Sequence, residues 1–160
     1  MVHTNWIFGA LLGAASLHVI EEYVYPGGFP DFMKRMFPSL AASVTHLFAI
    51  IINALFILLC IAAVLVGESL PLLSLSVAAL CGSNALVHLV ATCRTRRYVP
   101  GVVTGLILYL PLAILALWRI GTNGRITPAI LAAAVMLGIA YQAIPLGTLK
   151  LTQLLKRRDS

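Results

Sequence analysis

Five long apolar stretches constrain this chain more than any other feature of its sequence. Each is close to the roughly 20 residues that a helix needs to cross a bilayer core of about 30 Å, and glycine, proline or charged residues end each one. Because these stretches take up most of the 160 residues, no soluble domain fits beside them. We predict an all-α integral membrane bundle of five transmembrane helices. The predicted spans are residues 4–25, 40–66, 70–92, 102–119 and 128–149.

The basic residues predict how the bundle is oriented. The chain has 11 Lys and Arg against 5 Asp and Glu, and they fall between the apolar stretches, so we expect no nucleic-acid partner. Excess Lys and Arg mark cytoplasmic loops, which predicts an N-terminus outside and a basic cytoplasmic tail at 150–160. Nine basic residues lie on the predicted cytoplasmic side: Lys34, Arg35, Arg94, Arg96, Arg97, Lys150, Lys156, Arg157 and Arg158. The opposite side has Arg119 and Arg125.

A short amphipathic segment follows the first predicted span. It covers about residues 27–38 and surrounds two basic residues with apolar ones, a pattern typical of a segment that lies in the membrane interface. We expect it to cover a site from the cytoplasmic side. Its apolar residues are Phe29, Phe32, Met33, Met36 and Phe37, and its basic residues are Lys34 and Arg35.

Ionisable residues inside the spans indicate a functional site, because each costs at least about 2.5–3.5 kcal/mol at the centre of a span. The first span carries His18, Glu21 and Glu22 at offsets of three and four, within one helical turn. The third span carries Asn84 and His88, again one turn apart on one face. The other spans add polar residues that the predicted topology places in the same half of the bundle: His46, Asn53, Thr104, Tyr109, Tyr141 and Gln142.

These side chains suit a divalent transition metal such as zinc, iron or manganese. We predict one such ion, held by His18, His46, His88 and one of the two glutamates, with Glu22 taken as the ligand. The remaining glutamate, Glu21 in that case, acts as general base on a metal-bound water or on the substrate. The predicted catalytic residues are therefore His18, Glu21, Glu22 and His88. The sequence has no nucleotide-cofactor motif.

Two other functions use the same residues and stay open at this point. In a metal-free isomerase or cyclase, a protonated glutamate delivers the proton and the histidines relay it. In a transporter or binding protein, the same groups hold a proton or a cation. The predicted site lies on one side of the bundle, with almost no polar residues to continue a path across, which favours an enzyme.

Three motifs occur in order along the chain: H-x-x-E-E at 18–22, N-x-x-x-H at 84–88 and R-x-x-x-Y-x-P-G at 94–101. Together they resemble the HXXEE family of small, mostly bacterial membrane proteins, over at least residues 10–105. That family is suspected to be enzymatic, with no settled reaction. The resemblance implies a location in a bacterial cytoplasmic membrane and functional roles for the motif residues. These are His18, Glu21, Glu22, Asn84, His88, Arg94, Tyr98, Pro100 and Gly101.

A site inside the bilayer predicts a hydrophobic or amphiphilic substrate, of lipid or isoprenoid type. The start of the fourth span offers unpaired N–H groups beside arginines, where an anionic headgroup could dock. The residues predicted to bind substrate are Asn84, Arg94, Tyr98, Gly101 and Tyr141. The G-x-x-x-G spacings at 9–13 and 101–105 also allow a homodimer.

Overall fold

The computed structural model describes residues 5–24, 28–122, 124 and 126–158, without the side chains of 156–158. Over these ranges the regular structure is helical and contains no strand. Several sequence-based predictions fall outside the described residues: the first span's ends at residues 4 and 25, the start of the amphipathic segment at 27, Arg125, and the last two residues of the tail.

The helices are numbered here in chain order. They are α1 (Trp6–Val24), α2 (Gly28–Met36), α3 (His46–Val66), α4 (Pro71–Thr95), α5 (Val102–Gly121), α6 (Pro128–Tyr141) and α7 (Ala143–Arg158). Five segments are long and apolar enough to cross a membrane: Trp6–Val24, His46–Ser69, Pro71–Thr95, Val102–Gly121 and Pro128–Leu155. This confirms the all-helical fold with five long apolar segments, whereas the crossing of a membrane and the N-terminus-outside orientation stay predictions.

The second span begins later than its predicted start at residue 40. Pro38–Leu40 forms a short 3-10 turn, and α3 begins only at His46. Thr45 sets this boundary, because its backbone is extended and its hydroxyl accepts a hydrogen bond from the Phe48 N–H at 3.1 Å. Threonine in this capping position pairs an N–H that the helix itself leaves free.

The fifth span is interrupted and continues beyond its predicted end at residue 149. The break lies at Gln142, between α6 and α7. Pro145 has no N–H to donate to the Tyr141 carbonyl, so the regular helical ladder is interrupted there. The segment predicted as a cytoplasmic tail is helical through Arg158, and the apolar part of the span extends to Leu155.

Helix α4 lies at the centre of the bundle and contacts α1, α3, α5 and α6. Small residues allow the close approach that helices in membranes depend on. A Cβ added to Gly82 would lie 3.0 Å from the Ala113 side chain, and one added to Gly138 would lie 2.5 Å from the Ser76 carbonyl oxygen. Backbone contact with α4 therefore fixes where α5 and α6 lie.

The two G-x-x-x-G spacings behave differently. Gly105 packs within the chain, since a Cβ added there would lie 3.2 Å from Ala85, and Gly101 also packs inward against histidine rings. Gly9 and Gly13 have nothing within 4 Å of an added Cβ. The pair at the start of α5 is thus used inside the bundle, and a homodimer through α1 stays a prediction.

Gly138→Ala tests the contact between α6 and α4. The added methyl group must displace α4 backbone, and overpacking of this kind typically costs about 1–3 kcal/mol. Gly147→Ala is the matched control, because Gly147 is also helical and has open space around it. We expect Gly138→Ala to lower the thermal unfolding temperature in detergent and Gly147→Ala to leave it at or above that of the unaltered protein. Equal unfolding temperatures for the two variants would contradict this packing.

Candidate metal centre

Two histidines and one glutamate meet between α1 and α4. His18 and Glu22 lie one turn apart on α1, and His88 lies on α4. The Glu22 Oε1 atom is 3.5 Å from the Nε2 atom of each histidine. One ligand atom from each residue lies within 4.8 Å of the others, and all three residues are buried. We call this group the His–Glu–His cluster.

The Glu21 carboxylate points at the start of α5. Its Oε1 atom accepts hydrogen bonds from the Tyr98 hydroxyl at 2.5 Å and from the N–H groups of Gly101 and Val103 at 3.0 and 3.1 Å. Its Oε2 atom accepts from the Thr104 N–H at 2.7 Å and the Thr104 hydroxyl at 2.6 Å. The first N–H groups of a helix have no partner within the helix. Glu21 therefore caps α5 from another helix.

Thr104 links this cap to the His–Glu–His cluster. A carboxylate only accepts hydrogen bonds, so the single hydroxyl proton of Thr104 goes to Glu21. The hydroxyl oxygen is then the acceptor for His18 Nδ1, which lies 2.9 Å away. Nδ1 must carry the ring proton to make this bond. A neutral His18 therefore presents the lone pair of Nε2.

This tautomer places acceptors against each other inside the cluster. His18 Nε2 is buried and has no hydrogen-bond partner in the described part of the chain. It faces Glu22 Oε1 at 3.5 Å, and that carboxylate oxygen also bears lone pairs. Two buried acceptors at this distance repel unless a positive charge lies between them. A metal ion or an additional proton between the two atoms would remove this repulsion.

Gly101 allows the two histidines to lie this close to the start of α5. Its φ of 97° is in the left-handed region that favours glycine. An added Cβ would lie 2.6 Å from Cε1 of His18 and 2.8 Å from Cε1 of His88. Both the backbone conformation and the contact with two rings therefore demand glycine at this position.

A π-helical turn in α5 brings a second side chain to His18. Gly105–Tyr109 is wound as a π-helix, and the following Pro111 has no N–H for an α-helical bond. The wider turn lets Thr104 and Tyr109 both face His18. The Tyr109 ring is fully buried, with its centroid 4.5 Å from that of His18.

Helix α2 covers the cluster from the other side. The Phe29 ring lies 5.4 Å, centroid to centroid, from the His88 ring. On the outer part of the same helix, the Lys34 ammonium pairs with Asp31 at 3.2 Å. The predicted amphipathic segment therefore forms a helix over the site, with its aromatic residue against a cluster histidine.

Two cavities adjoin the cluster. The first, of about 250 Å³, lies beneath α2 and reaches His88. The second, of about 340 Å³, lies between α3 and the fifth span and reaches His18. Glu22 borders both cavities, and its Oε2 accepts a hydrogen bond from Asn53 Nδ2 at 3.3 Å. The walls they share are formed by Glu22, Ile52, Asn53, Asn84, Gln142 and Pro145.

His46 lies apart from the cluster that we predicted it to join. It is the first residue of α3 and is exposed, and the residues whose ligand atoms converge are His18, Glu22 and His88. Asn53, two turns further along α3, is the residue of that helix that contacts Glu22. The second span was predicted to start earlier, which placed His46 inside the helix instead of at its first residue.

The start of α5 holds the chain's own carboxylate where we predicted an anionic headgroup. Glu21 takes the N–H groups there, and Tyr98 points its hydroxyl at Glu21. Arg94 is exposed and lines neither cavity, and Gly101 packs against the histidines. Of the residues predicted to bind substrate, Asn84 and Tyr141 line a cavity.

Three residues to which our sequence analysis assigned no role contact the cluster or line its cavities. Thr104 positions His18, Asn53 contacts Glu22, and Gln142 donates to the Leu80 carbonyl oxygen at 3.1 Å while lining both cavities. A signal for Thr104 exists in the sequence, because it lies three residues after the motif glycine, in the first turn of a helix. Only the packed structure relates the other two to the cluster.

The fold and the cluster define a helical bundle with five segments long and apolar enough to cross a membrane, and with a buried site of two histidines and a glutamate. A family model described as "Protein of unknown function with HXXEE motif" matches residues 6–116. The match covers more than half of the chain, which therefore belongs to the HXXEE family, as its motifs indicated. No curated protein and no solved structure matches. The matched region contains the cluster and the cap, and it ends before the fifth span.

Glu21→Gln and Glu22→Gln test the separate roles of the two adjacent acids. In chelator-treated protein, we expect Glu21→Gln to lower the free energy of unfolding by about 2–4 kcal/mol, because a neutral amide loses charge-assisted bonds and sets its NH₂ against other donors. Glu22→Gln should leave stability unchanged or raise it, since its amide can donate to His18 Nε2. Thermal unfolding in detergent measures both. The opposite order of stabilities would contradict the assignment.

Proposed function

We propose that this protein is a membrane-embedded metalloenzyme acting on a hydrophobic or amphiphilic small molecule. His18, Glu22 and His88 hold one divalent transition metal, and the cavities beside them hold the substrate. The observation that carries the proposal is the lone pair of His18 Nε2 facing Glu22 Oε1. A cation held between these two atoms would replace their repulsion with attraction to both.

The ligand set and its spacing fit a metal ion. Two histidines and one glutamate occur in catalytic zinc sites, and two histidines with one carboxylate also hold non-haem iron. Ligand atoms about 2.0–2.1 Å from a tetrahedral metal lie about 3.3–3.4 Å apart. The two distances of 3.5 Å between Glu22 Oε1 and the histidine nitrogens are close to that value. Zinc is the first candidate on this ground, followed by iron and manganese.

The arrangement around His18 resembles the support that metal-binding histidines usually have. Such a histidine donates its other ring N–H to a neighbouring acceptor, which fixes its orientation and tautomer. Here Thr104 is that acceptor, and Glu21 holds Thr104 in place. Glu21 accepts five hydrogen bonds, so we assign it this positioning role rather than that of the general base.

Three protein ligands leave a metal with open coordination positions, and the cavities border the same residues. A metal there can polarise a substrate oxygen or activate a bound water. With zinc the reaction is hydrolytic, whereas iron would allow an oxidative one. The aromatic and aliphatic walls keep bulk water away from the substrate.

The buried polar residues farther from the cluster favour an enzyme over a transporter. Ser74 donates its hydroxyl to the Gly67 carbonyl oxygen at 2.6 Å, and Ser76 donates to the Leu73 carbonyl oxygen at 2.8 Å. Both hydroxyls are therefore engaged with neighbouring backbone and do not extend a polar path from the cluster.

Elemental analysis of the detergent-purified full chain tests the proposal. We expect near-stoichiometric zinc, iron or manganese in the unaltered protein, and at least a tenfold loss in His18→Ala, Glu22→Gln and His88→Ala, since removing one ligand typically costs more than the 10- to 100-fold of an outer-shell change. His46→Ala is the matched control, because His46 lies outside the cluster. It should keep its metal.

A folded protein that takes up no metal after resupply would contradict the metalloenzyme. In that case a proton would supply the positive charge between His18 and Glu22. This result would favour the metal-free isomerase or cyclase that transfers a proton. Loss of metal in His46→Ala together with retention in His88→Ala would show that the ligands are other residues.

A further inference from the structure

The wall that the two cavities share contains a carboxylate and three amides, whereas most of the other described residues that line each cavity are apolar. The shared polar residues are Glu22, Asn53, Asn84 and Gln142. The buried Oδ1 atom of Asn84 has no hydrogen-bond partner within the described residues, so this level retains unused hydrogen-bonding capacity.

The first cavity extends from this level toward α2. The residues that only this cavity contains are apolar apart from His88: Phe29, Pro30, Met33, Phe37, Val44, Phe48, Ala49, Val87, Leu146 and Leu149. Two of them, Phe48 and Ala49, lie in the first turn of α3, before Asn53. We call this cavity the upper arm.

The second cavity extends in the opposite direction along α3. Leu55, Phe56 and Leu59 follow Asn53 on α3, and Leu80 lies one turn before Asn84 on α4. We call this cavity the lower arm. Helix α3 packs against α1 and α4 but does not pack closely against the fifth span over their described residues. Leu55 and Ile144, which line the lower arm from α3 and α7, are 57% and 55% exposed. The lower arm therefore opens sideways to the lipid.

No Lys or Arg lines either arm in the part of the chain that the structure describes. The polar groups other than the cluster are neutral amides, together with Tyr141. An anionic headgroup would lose its hydration here without a Lys or Arg to pair with it, and a cationic headgroup would be repelled by a metal ion or proton between His18 and Glu22. A neutral polar group avoids that cost and can pair with the unused amide oxygen or nitrogen.

We propose that the substrate is an uncharged molecule whose reactive polar group lies inside an apolar chain, with one apolar part in each arm. An ester, amide or hydroxyl group at the shared wall would face Glu22 and the amides, while the flanking hydrocarbon fills the upper and lower arms. That this molecule is a substrate rests on the proposed function. Its shape and its lack of charge are inferred from the cavities, whether or not a metal is bound.

Three probes with sixteen carbons test the position of the polar group. Octyl octanoate has its ester in the middle, its isomer methyl pentadecanoate has the ester at one end, and hexadecane has none. The two isomers enter detergent micelles similarly, so a difference in binding reports on the protein. The apparent Kd comes from the rise in unfolding temperature with probe concentration. We expect octyl octanoate to bind at least about tenfold more tightly than either of the others, because it alone fills both arms around a central polar group.

Ala49→Phe tests the role of the upper arm, because Ala49 lines the first cavity and not the second. Filling this arm should remove the preference for octyl octanoate while leaving methyl pentadecanoate binding unchanged, a pattern that a folding defect would not produce. Equal binding of the isomers by the unaltered protein would overturn the proposal. So would a preference that survives in Ala49→Phe.

The same titrations in the presence and absence of a chelator separate this inference from the metalloenzyme. The preference among probes should persist without metal, because it arises from the two arms. If the protein prefers octyl octanoate but contains no metal, the metalloenzyme is refuted and the substrate class stands. If the protein contains the metal but shows no preference, the substrate class is refuted and the metal site stands.

Discussion

The Glu21 carboxylate at the start of α5 is the interaction on which the site depends. It joins α1 to α5 through three backbone N–H groups and two hydroxyls. This bond network places Thr104 at His18, and it brings Gly101 against both histidine rings. A negative charge at a helix N-terminus is favourable, and Glu21 supplies it here. The position and the tautomer of His18 both follow from this one cap.

The H-x-x-E-E motif contains two acids because two different neighbours must be reached. Successive residues of a helix point about 100° apart, so adjacent carboxylates face different helices. Glu21 faces α5, whereas Glu22 faces α4 and completes the cluster with His18 and His88. The glycine of the third motif has its own steric reason, since any side chain there would collide with both imidazoles.

Much of this arrangement could be predicted from the sequence because membranes leave few options. The length of the apolar stretches gave the five spans, and the cost of burying ionisable groups pointed to His18, Glu22 and His88. The pattern of apolar residues did not predict the start of α3, because a single hydrogen bond to a backbone N–H sets that boundary. Thr45 caps α3 and leaves His46 exposed at its first residue. A threonine before an apolar stretch is a signal for this boundary, but the stretch of apolar residues that begins at Leu40 outweighed it in the predicted span. The role of Glu21 was also missed, because a helix start rich in N–H groups attracts any anion, and the packing of α1 decides that the anion is internal.

The central claim is that His18, His88 and Glu22 hold a metal ion. X-ray absorption spectroscopy at the absorption edge of that metal, on the full chain purified in detergent, tests it most directly. The spectrum should show two imidazole ligands with nitrogen and oxygen atoms at about 2.0–2.1 Å and no sulfur. Sulfur at about 2.3 Å would place the metal on cysteine, and a spectrum with one imidazole or none would separate the metal from His18 and His88. Either result would contradict a site built from the two histidines and Glu22.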